Sequence, residues 1–199
     1  MLKLSGFRRA IAYYFTYPAV HLLARTPVTP NFITWFGFLL VVGGAVLIAT
    51  EHLFAAGVVV LVAGFFDILD GALARYINRV TLFGAVLDST LDRLSEAALL
   101  LGILAMYARD QSVPQILLVG TALIGSLLVS YIRARAEAEG LKCQVGLFTR
   151  AERVIVLALG LLLSQLSNAL AIALGIIVVF SFFTVGQRLF YVWQQTKTR

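Results

Sequence analysis

Apolar residues fill six stretches of the chain, and each stretch is long enough for a helix that crosses a membrane. A bilayer core about 30 Å thick is crossed by roughly 20 residues of α-helix. The six stretches lie at about 32–50, 53–76, 82–108, 113–136, 150–167 and 169–193. The pattern predicts an all-α integral membrane protein with six transmembrane helices.

The segment before these stretches has a different pattern. Basic residues alternate with aromatic ones here, and Pro18 interrupts the sequence. Such a pattern is typical of an amphipathic helix that lies in the membrane interface. Thr29, Pro30 and Asn31 then favour the start of a helix. We therefore expect an interfacial juxtamembrane segment at 1–28 and a six-helix domain at 29–199.

Composition agrees with a membrane location. Hydrophobic residues make up 60% of the chain and charged residues 13%, whereas a soluble domain carries about 25% charged residues. The formal net charge of +6 suits loops that lie near anionic lipid, so no nucleic-acid partner is expected.

Basic residues are unevenly distributed among the predicted connections. Three connections, at 51–52, 109–112 and 164–168, together contain a single Arg or Lys, which is Arg109. Nearly all the others lie in the N-terminal segment, at 75–81, at 133–153 and at the C-terminus. Because basic loops remain on the cytoplasmic side, we expect both termini and the 75–81 connection to be cytoplasmic.

Four aspartates interrupt the second and third apolar stretches, at Asp67, Asp70, Asp88 and Asp92. Each carboxylate near the centre of a membrane helix costs roughly 2.5–3.5 kcal/mol, and four unpaired ones would cost on the order of 10 kcal/mol. Residues three and four apart share a helix face, and the short connection predicts antiparallel neighbouring helices whose aspartates face one cavity. Oxygen ligands suit Mg²⁺, and two such ions about 3.5–4 Å apart assist phosphoryl-type displacement. The spacing predicts a divalent-cation site.

Small residues share this surface. Gly71, Ala74 and Gly84 leave room for a flat or phosphorylated ligand against the backbone, and Arg75 adds a positive charge beside it.

Two other interpretations of the aspartates remain open. A buried polar network would need basic partners, yet only Arg75 and Arg79 lie in or between the two segments before Arg93. A cation transporter would also carry carboxylates in its helices. It would distribute them over several helices, whereas these four lie on two.

The aspartate segment resembles the signature of the CDP-alcohol phosphatidyltransferase family. The chain reads Asp67-Ile-Leu-Asp70-Gly-Ala-Leu-Ala-Arg75, then eight residues, then Gly84 with Asp88 and Asp92 at four-residue steps. The family pattern is Asp-x2-Asp-Gly-x2-Ala-Arg, then eight or nine residues, then Gly-x3-Asp-x3-Asp. The chain matches it at each specified position.

The resemblance implies a reaction and a donor site. A CDP-lipid, either CDP-diacylglycerol or CDP-archaeol, would give its phosphatidyl or archaetidyl group to an alcohol and release CMP. Two Mg²⁺ ions, with Mn²⁺ as an alternative, would be held by Asp67, Asp70, Asp88 and Asp92, and Asp92 would also take the proton from the attacking hydroxyl. The CDP-lipid would be bound by Asn31, Asp70, Gly71, Ala74, Arg75 and Thr81.

Later motifs resemble the inositol-phosphate-using branch of the family, the phosphatidylinositol-phosphate and archaetidylinositol-phosphate synthases. The motifs are Ser130-Tyr-Ile-Arg-Ala-Arg-Ala-Glu137, Thr149-Arg-Ala-Glu-Arg153 and Gly186-Gln-Arg-Leu189. Carried over, the residues that bind the acceptor phosphate are Arg133, Arg153 and Arg188. The first is more often lysine in the bacterial enzymes, which leaves the polar substrate in doubt.

Arg188 also has an unusual position in the chain. It lies short of the expected membrane interface and has no acid nearby in sequence, and a buried arginine of this kind needs an anion. Three arginines from different helices have little reason to converge unless a dianion lies between them.

The expected acceptor is therefore inositol 1-phosphate. Glycerol 3-phosphate remains the alternative, since phosphatidylglycerophosphate synthases share the aspartate signature. The resemblance also implies a homodimer in a prokaryotic plasma membrane, in contact with membrane lipids.

Overall fold

Six α-helices of 13 to 29 residues form the main part of the fold in the computed structural model, which describes residues 18–197. No strand is present among these residues. The helices are α1 (Pro30–Ala49), α2 (Leu53–Tyr76), α3 (Leu82–Arg109), α4 (Val113–Ala138), α5 (Arg150–Leu162) and α6 (Ala169–Lys197). The six predicted stretches therefore correspond to six helices, and the all-α prediction is confirmed.

Threonines begin three of these helices. The Thr29 side chain accepts a hydrogen bond from the Phe32 amide, and Thr81 accepts one from the Gly84 amide at 2.9 Å. Before α5, Thr149 and Glu152 form a capping box. Each cap satisfies amides that the first helical turn leaves without a backbone partner.

The helices pack around a shared apolar core. α1 packs against α2 and α3, α2 against α5, α3 against α4, α4 against α6, and α5 against α6. Ile48, Val60, Ile103, Leu161 and Leu174 are buried in this core. The packing brings α5 beside the aspartate-bearing helices, although it lies far from them in sequence.

Four helices are long and apolar enough to cross a membrane, namely α1, α2, α4 and α6. Their outer faces carry large apolar side chains such as Leu39, Ile172 and Val179, which are 60 to 64% exposed. Such surfaces suit lipid rather than water. The chain is therefore an all-helical membrane protein.

The other two helices depart from the expected spans. Asp88, Asp92, Arg93 and Glu96 interrupt the apolar sequence of α3. The fifth span was expected at 150–167, but α5 has only 13 residues and ends at Leu162. The polar residues after it form a turn that ends at Asn168 with φ of 67°, a conformation that asparagine tolerates well.

The N-terminal prediction concerns residues that lie mostly outside the described part of the chain. Residues 18–23 are helical, and Val20 packs against Ile33, Leu69 and Leu73 near the start of α1 and the end of α2. The interfacial helix expected over residues 1–28 stays a prediction.

Candidate active site

Three of the four aspartates meet at one point. Carboxylate oxygens of Asp67, Asp88 and Asp92 lie within 4.8 Å of one another. Asp70 does not belong to this group, and its side chain is buried on α2. Helices α2 and α3 were expected to be close neighbours, but each packs mainly against α1. The aspartates therefore face each other across a gap between the two helices.

An arginine from α5 contacts this cluster. Nη1 of Arg150 lies 2.9 Å from Oδ2 of Asp67 and 2.5 Å from Oδ1 of Asp92. The expectation that the aspartates have no basic partner is therefore wrong. Arg150 is 83 positions from Asp67 in the chain, and only the packing of α5 on α2 brings the two together.

One arginine does not neutralise four carboxylates. Oδ2 of Asp70 is buried and has no hydrogen-bond partner in the described part of the chain. No ion pair joins Asp88 to any residue between 18 and 197. The cluster therefore keeps free oxygen ligands and an excess of negative charge, as a site for divalent cations requires.

A cavity of about 410 Å³, the donor cavity, opens on one side of the cluster. Its wall includes all six residues expected to bind the CDP-lipid, together with Asp88: Asn31, Asp70, Gly71, Ala74, Arg75 and Thr81. The Arg75 guanidinium lies beside Gly71, since Nη1 would be 3.4 Å from a Cβ added there. Gly84 must be small, because an added Cβ would be 2.9 Å from Thr81 Oγ1.

A second cavity of about 180 Å³, the arginine cavity, lies on the other side. Arg133, Arg153 and Arg188 all line it, and so does Asp92. The three arginines predicted from separate helices therefore share one cavity. A small space of about 30 Å³ between Asp67, Asp70, Asp92 and Arg150 lies at the cluster itself.

Each of the three arginines has a protein partner. Arg133 pairs with Glu137 at 2.8 Å on the exposed end of α4. Arg188 donates to the backbone carbonyl of Val145 at 2.9 Å and to that of Val129. These two carbonyls satisfy part of the guanidinium, but they carry no charge and no acid pairs with Arg188 among the described residues. The expectation that Arg188 binds an anion therefore stays a prediction.

Glu96 is the functional candidate that the sequence argument missed. It pairs with Arg153 through both carboxylate oxygens. The available signal was its spacing, because Glu96 lies four residues after Asp92 and so on the same face of α3.

The fold and the site together define a membrane enzyme whose carboxylate cluster lies between two polar cavities. A family model described as CDP-alcohol phosphatidyltransferase matches residues 27–185. The chain belongs to this family and is a membrane transferase of phospholipid biosynthesis.

Two named relatives are similar to this chain over most of its length. An archaetidylinositol phosphate synthase from Methanothermobacter thermautotrophicus is 40% identical over 176 residues, covering 87% of each chain. A phosphatidylinositol phosphate synthase from Mycobacterium tuberculosis is 38% identical over 202 residues, covering 97% of this chain and 92% of the relative.

Solved structures of the Mycobacterium tuberculosis protein have the same fold. The crystal structure with CDP-DAG bound aligns with a TM-score of 0.83 at 38% identity, over 89% of this chain and 93% of the other. The crystal structure in complex with manganese and citrate aligns with a TM-score of 0.82 at 38% identity, over 89% and 88%.

Proposed function

We propose that this enzyme transfers the phosphatidyl or archaetidyl group from a CDP-lipid to a hydroxyl of inositol 1-phosphate and releases CMP. One observation carries the proposal. A carboxylate cluster lies between a cavity of small residues and a cavity of arginines. This arrangement suits a diphosphate donor on one side and an anionic acceptor on the other. The names of the similar synthases support the same reaction.

Asp67, Asp70, Asp88 and Asp92 would hold two divalent cations, Mg²⁺ or Mn²⁺. The free oxygens of Asp70 and Asp88 support this assignment, as does the manganese in the crystal structure of the similar synthase. Bound cations would supply electrostatic stabilisation for the charge that develops on the phosphates.

The donor cavity would bind the nucleotide and diphosphate of the CDP-lipid. Gly71 and Ala74 let the ligand approach the backbone of α2, and Arg75 supplies a positive charge for a phosphate. Asn31 and Thr81 offer polar side chains at the opposite wall. These residues orient the donor so that its reacting phosphate faces Asp92.

Asp92 would act as the general base. It lines the arginine cavity, where the acceptor hydroxyl would lie, and also belongs to the carboxylate cluster. Arg150 holds one of its oxygens at 2.5 Å and so fixes its orientation. Arg133, Arg153 and Arg188 would bind the acceptor phosphate, because guanidinium groups match its charge and geometry.

A substrate panel tests the proposal. The purified protein is supplied with CDP-lipid, Mg²⁺ and, separately, inositol 1-phosphate, glycerol 3-phosphate, free inositol or serine. CMP release is expected with inositol 1-phosphate and not with the two neutral acceptors. Preference for glycerol 3-phosphate would support the arginine cavity as a phosphate site, but the acceptor would then be glycerol 3-phosphate rather than inositol 1-phosphate. Use of free inositol or serine would contradict the assigned role of the arginines.

The topology is also a proposal. All six predicted stretches would cross the membrane, the fifth by means of α5 together with the turn that follows it, and the charged positions of α3 would face the site. Both termini and the active site would be cytoplasmic, in the plasma membrane of a prokaryote. The segment 1–28 would lie along the interface, and two copies would form a homodimer.

Two cysteine variants test the orientation. In a Cys143→Ser background, His52→Cys lies between α1 and α2, and Asn78→Cys lies between α2 and α3. A membrane-impermeant thiol reagent added to intact cells should label only the first. Labelling of Asn78→Cys alone would reverse the proposed topology.

A further inference from the structure

Arg153 and Glu96 form a buried ion pair, and both residues line the arginine cavity. Nε of Arg153 lies 2.5 Å from Oε1 of Glu96, and Nη2 lies 2.8 Å from Oε2. The side chains of Arg153 and Glu96 are only 1% and 9% exposed. Two parallel hydrogen bonds of this kind fix the plane of the guanidinium, so the carboxylate determines where the rest of the group points.

The remaining nitrogen of Arg153 has no partner. Nη1 is buried and forms no hydrogen bond to any residue in the range 18–197. A buried hydrogen-bond donor without an acceptor lowers stability by about 1–3 kcal/mol, and by more when the group is charged. Because Arg153 lines the arginine cavity, a ligand in that cavity can accept the hydrogen bond that the protein does not supply.

The charge of the cavity indicates what that ligand is. Five arginines and two acids line it, which leaves a formal charge of +3. Glu96 reduces the repulsion between Arg153 and the other arginines while leaving a positive cavity. A phosphomonoester, which is close to a dianion at neutral pH, satisfies both the charge and the free donor.

We infer that Glu96 is a positioning residue that holds Arg153 so that its Nη1 meets the acceptor phosphate. This inference rests on the proposed function. Glu96 accepts from Nε and from one hydrogen of Nη2, and Nη1 is the nitrogen of Arg153 that has no acceptor among the described residues. Without the carboxylate, the guanidinium would rotate, and the acceptor would lose an aligned donor rather than a charge.

Steady-state kinetics of Glu96→Gln test the inference. The amide keeps the size of the side chain but can accept only one of the two hydrogen bonds and carries no charge. The KM for inositol 1-phosphate should rise about tenfold, the loss of roughly one good hydrogen bond. The KM for CDP-lipid should stay within about twofold, because the donor cavity is on the other side of the cluster. Glu96→Asp, which restores a carboxylate, should recover part of the loss.

Glu139→Gln is the matched control. Glu139 pairs with Arg135 at 2.6 Å at the exposed end of α4, and neither residue lines a described cavity. Its kinetics should equal those of the wild type. If Glu96→Gln raises the KM of both substrates equally, or of neither, Glu96 does not position Arg153.

A double-mutant cycle tests whether Glu96 acts through Arg153. In an Arg153→Lys background, where the bidentate pair cannot form, Glu96→Gln should change the acceptor KM no further. An additional effect of similar size would overturn the inference. If Glu96→Gln does not fold, Arg153→Lys alone decides, because an unchanged acceptor KM would show that the bidentate geometry is irrelevant.

Inorganic phosphate separates this inference from the proposed function. It should inhibit the wild type competitively against the acceptor and inhibit Glu96→Gln about tenfold less strongly. Failure of the wild type to use inositol 1-phosphate would contradict the proposed acceptor. Equal inhibition of the two proteins by phosphate would contradict the role of Glu96, whichever acceptor is used.

Discussion

The three aspartates of the cluster occupy different environments, so their removal should have different effects. Asp92 contacts Arg150 and lines the arginine cavity, whereas Asp88 has no ion pair with a described residue and lines the donor cavity. A side chain that transfers a proton contributes to turnover, while a metal ligand also contributes to binding.

Asp92→Asn should therefore retain CDP-lipid binding and lose at least about a hundredfold in turnover, the usual contribution of a general base. Asp88→Asn should lose Mn²⁺-dependent CDP-lipid binding as well. Calorimetric titration of both variants, beside kinetic assays, measures the difference. Near wild-type turnover of Asp92→Asn would contradict its role as the base.

Gly71 and Ala74 are small either because a ligand approaches α2 or because helices pack there. Both line the donor cavity, and a Cβ added at Gly71 would approach only the Arg75 guanidinium. Replacement of either by Leu should reduce CDP-lipid affinity by more than tenfold, about 1.4 kcal/mol, and leave the melting temperature unchanged. Gly120→Leu, where the added side chain meets open space, is the control. A lowered melting temperature with normal affinity would assign Gly71 and Ala74 to packing.

At the scale of helices, the start of α5 stabilises the arrangement of α2 and α3. Arg150 contacts Asp67 on α2 and Asp92 on α3, and one turn later Arg153 contacts Glu96 on α3. In the absence of bound cations, Arg150 is the only charge of opposite sign in contact with the cluster among the described residues. The effect of removing it should therefore depend on the cations.

Arg150→Gln should lower the free energy of unfolding of cation-free protein by about 1–3 kcal/mol, less than for a fully buried pair because Arg150 is partly exposed. Saturating Mg²⁺ should recover much of this loss, since the ions then offset the same carboxylates. Thermal unfolding with chelator and with Mg²⁺ measures both values. Arg135→Gln, which breaks an exposed pair, should change the free energy of unfolding neither with chelator nor with Mg²⁺. A loss that Mg²⁺ does not reduce would mean that Arg150 has a purely structural role.

The connection between α4 and α5 is attached to α6 through side chains. Arg188 donates to the Val145 carbonyl, Gln187 accepts from the Leu147 amide, and Thr184 accepts from the Phe148 amide. Gly146 passes beside Arg188 with φ of 148°, which favours glycine.

Arg188→Ala should therefore raise the acceptor KM and also speed amide hydrogen exchange at 145–148, because the connection loses its hydrogen bond from Arg188 to the Val145 carbonyl. Exchange measured by mass spectrometry checks the second effect. Arg133→Ala should raise the acceptor KM alone, since Arg133 contacts only Glu137 on its own helix. Unchanged exchange in Arg188→Ala would mean that the connection is held without it.

The sequence predicts those parts of the site that depend on local spacing. Helix positions follow from runs of apolar residues, and the faces of α2 and α3 follow from steps of three and four residues. Arg150 could not be assigned in this way, because its partners lie on other helices and only the packing of α5 brings them together. Spacing places Glu96 on the face of Asp92, but its pairing with Arg153 again depends on the packing of α5. The short length of α5 was not predicted because Leu163 and Leu166 extend the apolar pattern into the otherwise polar turn that ends the helix.

For the whole molecule, the two cavities separate the substrates by their chemistry. The donor cavity is bounded by the start of α1, by α2 and by α3, whereas the arginine cavity is bounded by α3, α4, α5 and α6. The carboxylate cluster is the part of the protein that both cavities share, through Asp88 and Asp92. An acceptor and a donor bound on opposite sides can therefore approach the same point without competing for one entrance.

The hydrogen bond between the segment before α5 and the middle of α6 has a consequence for the position of the carboxylate cluster. The amide of Phe148, just before α5, contacts Thr184, so α6 continues for 13 residues beyond this level. At about 1.5 Å per residue, that is roughly 20 Å of helix. The start of α5, and with it the carboxylate cluster that Arg150 contacts, therefore lies well short of the end of α6. In the proposed reaction, a water-soluble acceptor would reach the cluster past the last turns of α6, and a lipid donor would reach it with its tails still in the bilayer.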